Sequence, residues 1–314
     1  MLDWTDRHDR YFLRLLSKHI YLYSEMVTTG ALLFGKDSDR YLVYSQQEHP
    51  LALQLGGSDP EAMARCGVRA QDFGYDEVNI NCGCPSDRVQ NGSFGACLMK
   101  EPQVVADCYR AMQTELDIPV SIKHRIGVDD HDSFDDLIRF IDIVAAQGCG
   151  VFILHARKAW LKGLSPKENR EIPPLNYDFV YKVKQKFPEL EISLNGGVKT
   201  LEAAADHLNY VDGVMIGREA YENPWLLSEV DSRFYGEPAG TKTRHGVLRE
   251  YVPYVDSQLK AGVPLHLMTR HLFGLFAGLP GARAWRRHLT EKACLKTSGP
   301  EIILEAAAFV PESG

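Results

Sequence analysis

Apolar residues recur along the chain in short bursts separated by longer, half-apolar stretches. The bursts fall at residues 20–23, 51–55, 78–81, 120–126, 151–155, 192–195 and 214–216. Such short runs suit strands, and Val78 and Ile80 alternate with Asn79 and Asn81 at the strand period of two. Pro119 heads the fourth burst, a place where a strand tolerates proline. Between the bursts, residues 104–112, 134–146 and 177–187 repeat their apolar positions at helical spacing. Strands alternating with helices predict βαβ units and a parallel sheet. An eight-stranded (β/α) barrel takes about 250 residues. Residues 1–235 have that size, with seven strands in view.

The eighth strand is missing at the start. Met1-Leu2-Asp3-Trp4-Thr5-Asp6 reads as a loop, and an amphipathic helix follows around residues 10–17. A βα unit has a strand ahead of its helix, so the chain is expected to begin just after the end of strand one. The seven bursts then correspond to strands two to eight, with an open seam between the second and the eighth. The expected fold is α/β: a TIM (β/α)8 barrel lacking its first strand over residues 1–235, followed by a C-terminal helical domain over residues 236–314.

Composition adds limits. The 314 residues are 45% hydrophobic and 25% charged, as in ordinary globular proteins. No apolar run approaches the roughly 18 residues of a membrane span, and nothing resembles a signal peptide. Seven scattered cysteines form no disulfide framework, which predicts reduced thiols and a cytoplasmic location. The net charge of −7 is unevenly spread: residues 1–240 carry −11, residues 241–299 carry +7 and residues 300–314 carry −3. A basic segment behind an acidic body is expected either to meet a polyanion or to solvate helical faces.

Polar chemistry gathers where the bursts end. Asn81-Cys82-Gly83-Cys84-Pro85-Ser86 closes the third burst in a tight corner, which holds the Cys84 thiol at the strand end where barrels do chemistry. Gln54, Lys123, Arg125, His155 and Arg157 stand at or just beyond other ends, as do Asn195-Gly196-Gly197 and Gly217-Arg218. Glycines there admit backbone N–H groups to an anion, and the last two barrel loops are the usual phosphate site. Lys123 suits a counter-charge or a Schiff-base amine. Cys84 suits a nucleophile, a metal ligand or an acid. Cys82-x-Cys84 with Cys97 lacks the paired spacing of zinc sites, so no metal is expected.

The motifs taken together resemble a family. Asn81-x-Gly83-Cys84-Pro85-Ser86 with Gln90-Asn91-Gly92-x-x-Gly95-Ala96 looks like the signature of the tRNA-dihydrouridine synthases. Met1-Leu2-Asp3-Trp4-Thr5-Asp6, Gln54-Leu55-Gly56-Gly57, Lys123-x-Arg125, His155-Ala156-Arg157, Asn195-Gly196-Gly197 and Gly217-Arg218 follow in the family's order. The run from Arg157 to Arg170 is similar to the A-type (DusA) subfamily, which modifies D-loop uridines around position 20 of tRNA. The family's Ala-Pro ahead of Met1 is absent.

The resemblance implies an FMN enzyme that uses NADPH to reduce the uracil 5,6 double bond. It implies FMN contacts for Met1, Gln54, Lys123 and His155, and phosphate contacts for Asn195, Gly196, Gly197, Gly217 and Arg218. Cys84 would protonate C5 of the base; ordinary thiols, with a reference pKa of roughly 8.5, keep their proton at neutral pH. Lys123 would stabilise negative charge on the reduced flavin. Asn81, Lys167, Arg170, Arg283 and Arg286 would meet tRNA, the last two from the basic segment. No membrane and no obligate protein partner is implied. The alternatives are a small-molecule FMN reductase of dihydroorotate or dihydropyrimidine dehydrogenase type, and a non-catalytic tRNA-binding protein if the missing strand abolishes FMN binding.

Overall fold

Helix α1 (Arg7–Leu16) leads into a sheet of seven strands in the computed structural model, which describes residues 1–86, 92–295 and 297–312. The strands are β1 (Leu22–Thr28), β2 (Leu51–Gly56), β3 (Glu77–Cys82), β4 (Val120–Arg125), β5 (Val151–His155), β6 (Glu191–Asn195) and β7 (Gly213–Met215). Their order in the sheet is their order in the chain, and each pairing from β2 to β7 is parallel. That is the winding of a (β/α) barrel. Gln90 and Asn91 of the cysteine motif lie outside the described residues.

Parallel strands need crossovers, supplied by α2 (Pro60–Phe73), α3 (Pro102–Glu115), α4 (Phe134–Ala145), α5 (Tyr177–Lys186) and α6 (Leu201–Leu208). Their starts are written locally. Asp59 accepts from Ala62 N ahead of Pro60 at the first turn of α2, and Ser133 and Asp136 close a capping box on α4. Asn176 and Thr200 cap α5 and α6 in the same way. Gly74 ends α2 at φ 93°, a left-handed position that costs glycine nothing.

Strand alternation separates two layers. Leu51, Leu53, Leu55, Val78, Ile80, Ile122, Phe152, Leu154, Ile192 and Leu194 are all fully buried and form the layer beneath the helices. His124 belongs to this outer layer too, its ring 4.8 Å from Phe140 and 5.9 Å from Phe152. Burial pushes it down to about 4, so it is a neutral packing residue. The alternate positions, Gln54, Asn79, Asn81, Ser121, Lys123, Arg125, His155 and Asn195, take the other face. Cys82 falls on the outer layer, where desolvation drives its thiol pKa far up. It therefore cannot share a ligand set with Cys84. Among the described residues no group of His, Cys, Asp or Glu could hold a metal ion.

The chain divides into two compact units. One joins Tyr23–Val43 to His49–Gly217 and contains most of the sheet; the other joins Met1–Leu22, Tyr44–Glu48 and the chain from Arg218 onward. This partition turns on Arg218, whereas the boundary expected from sequence lies at 235/236. Within the second unit, Trp4 stacks on Tyr221 at 4.4 Å, and Asp231 accepts from the Ser17 hydroxyl and from Lys18 N. Those contacts tie residues 218–235 to the start of the chain. The same unit packs α1 on α7 (Arg244–Lys260), with Tyr11 stacked on Tyr254 at 3.9 Å, and includes α8 (Ala282–Lys292) and α9 (Glu301–Ala307). No helix among the described residues is long and apolar enough to cross a membrane.

Candidate active site

The Cys84 turn is built by one side chain. Asn81 Oδ1 accepts from both Gly83 N and Cys84 N at 3.1 Å, which closes the backbone into a corner directly after β3. Ala96 N donates to the Cys84 carbonyl at 2.9 Å and holds the turn from the other side. The thiol is half-buried, 3.5 Å from Ser86 Oγ. The rigid turn presents a sulfur at the sheet's carboxyl end.

Lys123 sits beside Asn81 in the β3–β4 register and donates to Asn195 Oδ1 across the sheet at 2.8 Å. Part of its surface reaches solvent, yet its ammonium is deep enough that desolvation, reinforced by the Arg125 charge, pushes it down to about 7. Asn195 in turn donates from Nδ2 to Met215 O at 2.8 Å and faces His155 in the β5–β6 register. After Asn195 the backbone passes through Gly196 at φ 112° and Gly197 at φ 75°. A Cβ on Gly196 would lie 2.5 Å from His155 Cδ2, and one on Gly197 would lie 2.5 Å from Leu175 Cδ1. Only glycine fits. The N–H groups of both have no acceptor among the described residues.

Arg125, buried at the end of β4, joins this turn to a second loop. Its Nε donates to Gly83 O at 2.8 Å, and its Nη1 donates to Lys158 O at 3.1 Å and Asn169 O at 3.0 Å. Desolvation lowers it to about 10, which leaves it charged at neutral pH. The Cys84 sulfur is within electrostatic reach of both Lys123 and Arg125. Asn169 is fully buried and staples the loop from inside, accepting from Trp160 N at 2.7 Å and donating to Trp160 O and Leu164 O. Its neighbours Lys167 and Arg170 are exposed.

The sequence-predicted residues Gln54, Asn81, Cys84, Lys123, His155, Asn195, Gly196, Gly197 and Gly217 therefore belong to one compact unit, with Lys167 and Arg170 on its Asn169 loop. Met1, Arg218, Arg283 and Arg286 belong to the other. Arg218 opens a short helix, Arg218–Glu222, and the Met1 ammonium donates to Thr5 Oγ1. On α8, Arg283 and Arg286 share an exposed face while Ala282, Trp285 and Leu289 are buried. Residues that sequence reasoning passed over are Glu77, Asn79, Ser121 and Asn169. The first three show one signal, a polar residue at every second strand position beneath a recognised site residue.

The sequence profile of the dihydrouridine synthase family matches residues 1–310. The chain is 58% identical over 303 residues to a tRNA-dihydrouridine(20/20a) synthase of Shewanella oneidensis, covering 96% of this chain and 90% of that one. It is 57% identical over 312 residues to the protein of that name from Vibrio cholerae, covering 99% and 95%. With the one from Escherichia coli K12 it shares 58% over 294 residues, covering 93% and 85%. Among solved structures, histamine dehydrogenase from Rhizobium sp. 4-9 superposes with a TM-score of 0.50 at 9% identity, over 73% of this chain and 44% of that longer one. That likeness concerns the fold alone. A barrel-wound sheet, a Cys84 corner with its asparagine clamp and a match over nearly the whole length lead to one assignment: the chain is an enzyme of the dihydrouridine synthase family.

Proposed function

We propose that this chain reduces D-loop uridines of tRNA, at positions 20 and 20a, to 5,6-dihydrouridine, with FMN as bound cofactor and NADPH as reductant. The observation that carries the reading is the Cys84 corner, a thiol held by Asn81 beside a desolvated Lys123. Three features fit FMN. Among the described residues Lys123 has one neutral acceptor, and its pKa is depressed, so an anionic edge beside it would recover its charge. Gly196 and Gly197 offer N–H groups without an acceptor among the described residues, in a conformation that a side chain would block, as a phosphate cradle requires. Gln54 and Asn195 keep amide capacity beyond the bonds they make.

Gln54, Lys123 and His155 would hold the ring system, and Asn195, Gly196, Gly197 and Gly217 the phosphate, all within one compact unit. FMN held there would supply hydride chemistry for C6 of the uracil. Cys84 then gives its proton to C5 and is left as a thiolate, which the Lys123 and Arg125 charges offset. Asn81 orients the turn and meets the base. Residues 1–235 form the catalytic barrel, and residues 236–314 form the helical tRNA-binding segment. Lys167, Arg170, Arg283 and Arg286 take phosphates, so binding weakens with salt. The target uridine leaves its stack to reach the thiol. With tRNA as substrate, the enzyme works in the cytoplasm.

General-acid catalysis is worth about 10²- to 10⁴-fold. Cys84→Ala is therefore expected to keep bound FMN and lose dihydrouridine formation by that factor, measured as NADPH oxidation dependent on unmodified tRNA. Full turnover in that variant rules the role out.

A further inference from the structure

Beneath Cys84 a single file of side chains runs down the inner face of the sheet. Gly83 N and Cys84 N can only donate, so Asn81 must turn Oδ1 toward them. Its Nδ2 is then committed to Gln54 Oε1 at 2.8 Å. That choice leaves Gln54 Nε2 to donate to Asn79 Oδ1, also at 2.8 Å. Asn79 Nδ2 donates to Ser121 Oγ at 2.7 Å, and Ser121 passes its hydroxyl hydrogen to Glu77 Oε1. Tyr23 donates to the same Glu77 oxygen at 3.2 Å. Every amide in the file has one permitted orientation, set by two backbone N–H groups above and a carboxyl acceptor below.

We propose that Asn79, Ser121 and Glu77 are positioning residues, which hold Asn81 in the one amide orientation that closes the Cys84 turn. The idea rests on the reading of Cys84 as the proton donor. Asn79 and Ser121 are fully buried and face Gln54 and each other in register, so neither touches the base. If the file is cut, Asn81 keeps the two N–H donors above it but loses the fixed acceptor below that holds its Nδ2, so the amide is free to swing; swung or flipped, it no longer offers Oδ1 to both N–H groups and the turn opens. The thiol would remain in place chemically and be misplaced geometrically.

The experiment compares Ser121→Ala with Ser121→Thr, which restores the hydroxyl. Ser121→Ala is expected to lower kcat for dihydrouridine formation at least tenfold, with the KM for tRNA within twofold. Added imidazole buffer, at fixed pH and ionic strength, should recover part of the loss by supplying an external acid, and Thr should recover it without buffer. In FMN-free protein, alkylation of the Cys84 peptide by iodoacetamide should quicken several-fold in the Ala variant. A destabilised fold alone would lower the active fraction and would not respond to imidazole. The proposal is overturned if Ser121→Ala keeps kcat within twofold of the wild type, or if its loss responds neither to imidazole nor to Thr. If Ser121→Ala does not fold, Asn79→Ala is read by the same criteria. A wild-type enzyme that makes no dihydrouridine refutes the proposed function instead.

Discussion

Replacing Arg125 with alanine should open the loop that carries Lys167 and Arg170 long before it unfolds the protein. The guanidinium makes three hydrogen bonds to backbone carbonyls, Gly83 O, Lys158 O and Asn169 O, from a side chain that is 3% exposed. A hydrogen bond to a charged group contributes about 1.5–3 kcal/mol. Even with water satisfying some of the freed carbonyls, a loss of about 3 kcal/mol in local stability follows. At 1.4 kcal/mol per decade, that raises the open fraction of the loop roughly a hundredfold. Brief trypsin digestion reads it directly, because Lys162, Lys167 and Arg170 are exposed in sequence yet pinned in backbone. Cleavage at these sites should accelerate by about two orders of magnitude in Arg125→Ala, and by less in Arg125→Lys, which keeps the charge and one donating nitrogen. Cleavage at the wild-type rate would mean that Asn169 alone holds the loop.

Three further outcomes are expected. Glu77 is raised to about 7, chiefly by burial and against its bonds from Ser121 and Tyr23, so the folded state keeps a proton that the unfolded chain releases near 4.5. Its contribution is full below that pH and is lost as pH rises to about 7, by about 3 kcal/mol at most. Glu77→Gln should flatten this decline, and parallel urea-denaturation profiles for the two proteins between pH 4.5 and 7 would contradict it. Gly196→Ala forces a Cβ to 2.5 Å from His155 at φ 112°, a strain of about 1–3 kcal/mol. The variant should be purified with less FMN than wild type by visible absorbance, and equal occupancy would count against the cradle. Arg283→Ala with Arg286→Ala should reduce the slope of log affinity for tRNA against log salt by roughly 1.5. An unchanged slope would remove α8 from the footprint.

The strands were legible because their outer positions are a near-continuous set of Leu, Ile, Val and Phe, and helical spacing located the main crossovers. β1 was caught only at its start, since Ser24, Glu25 and Thr28 interrupt the apolar signal while the backbone continues to Thr28. Cys84, Lys123 and the glycine pair could be found because a site at strand ends concentrates unusual residues. Ser121 and Glu77 could not, since their meaning lies in cross-strand register, which a linear sequence does not display. Asn169 shows the same limit differently. In Pro166-Lys167-Glu168-Asn169-Arg170 it reads as one more solvated polar residue, yet it is fully buried between exposed neighbours.

The period of two in β3 and β4 has a consequence for how such an enzyme can vary. A one-residue insertion or deletion inside either strand would exchange its layers, sending Asn79 or Ser121 under the helices and Val78 or Ile122 toward the cofactor. Length changes are therefore barred from the strands and confined to the loops, where they leave the parity untouched. The exposed segment around Lys167 and Arg170, the proposed tRNA contact, is free to change in length and sequence, while the inner face drifts only by substitution at constant count.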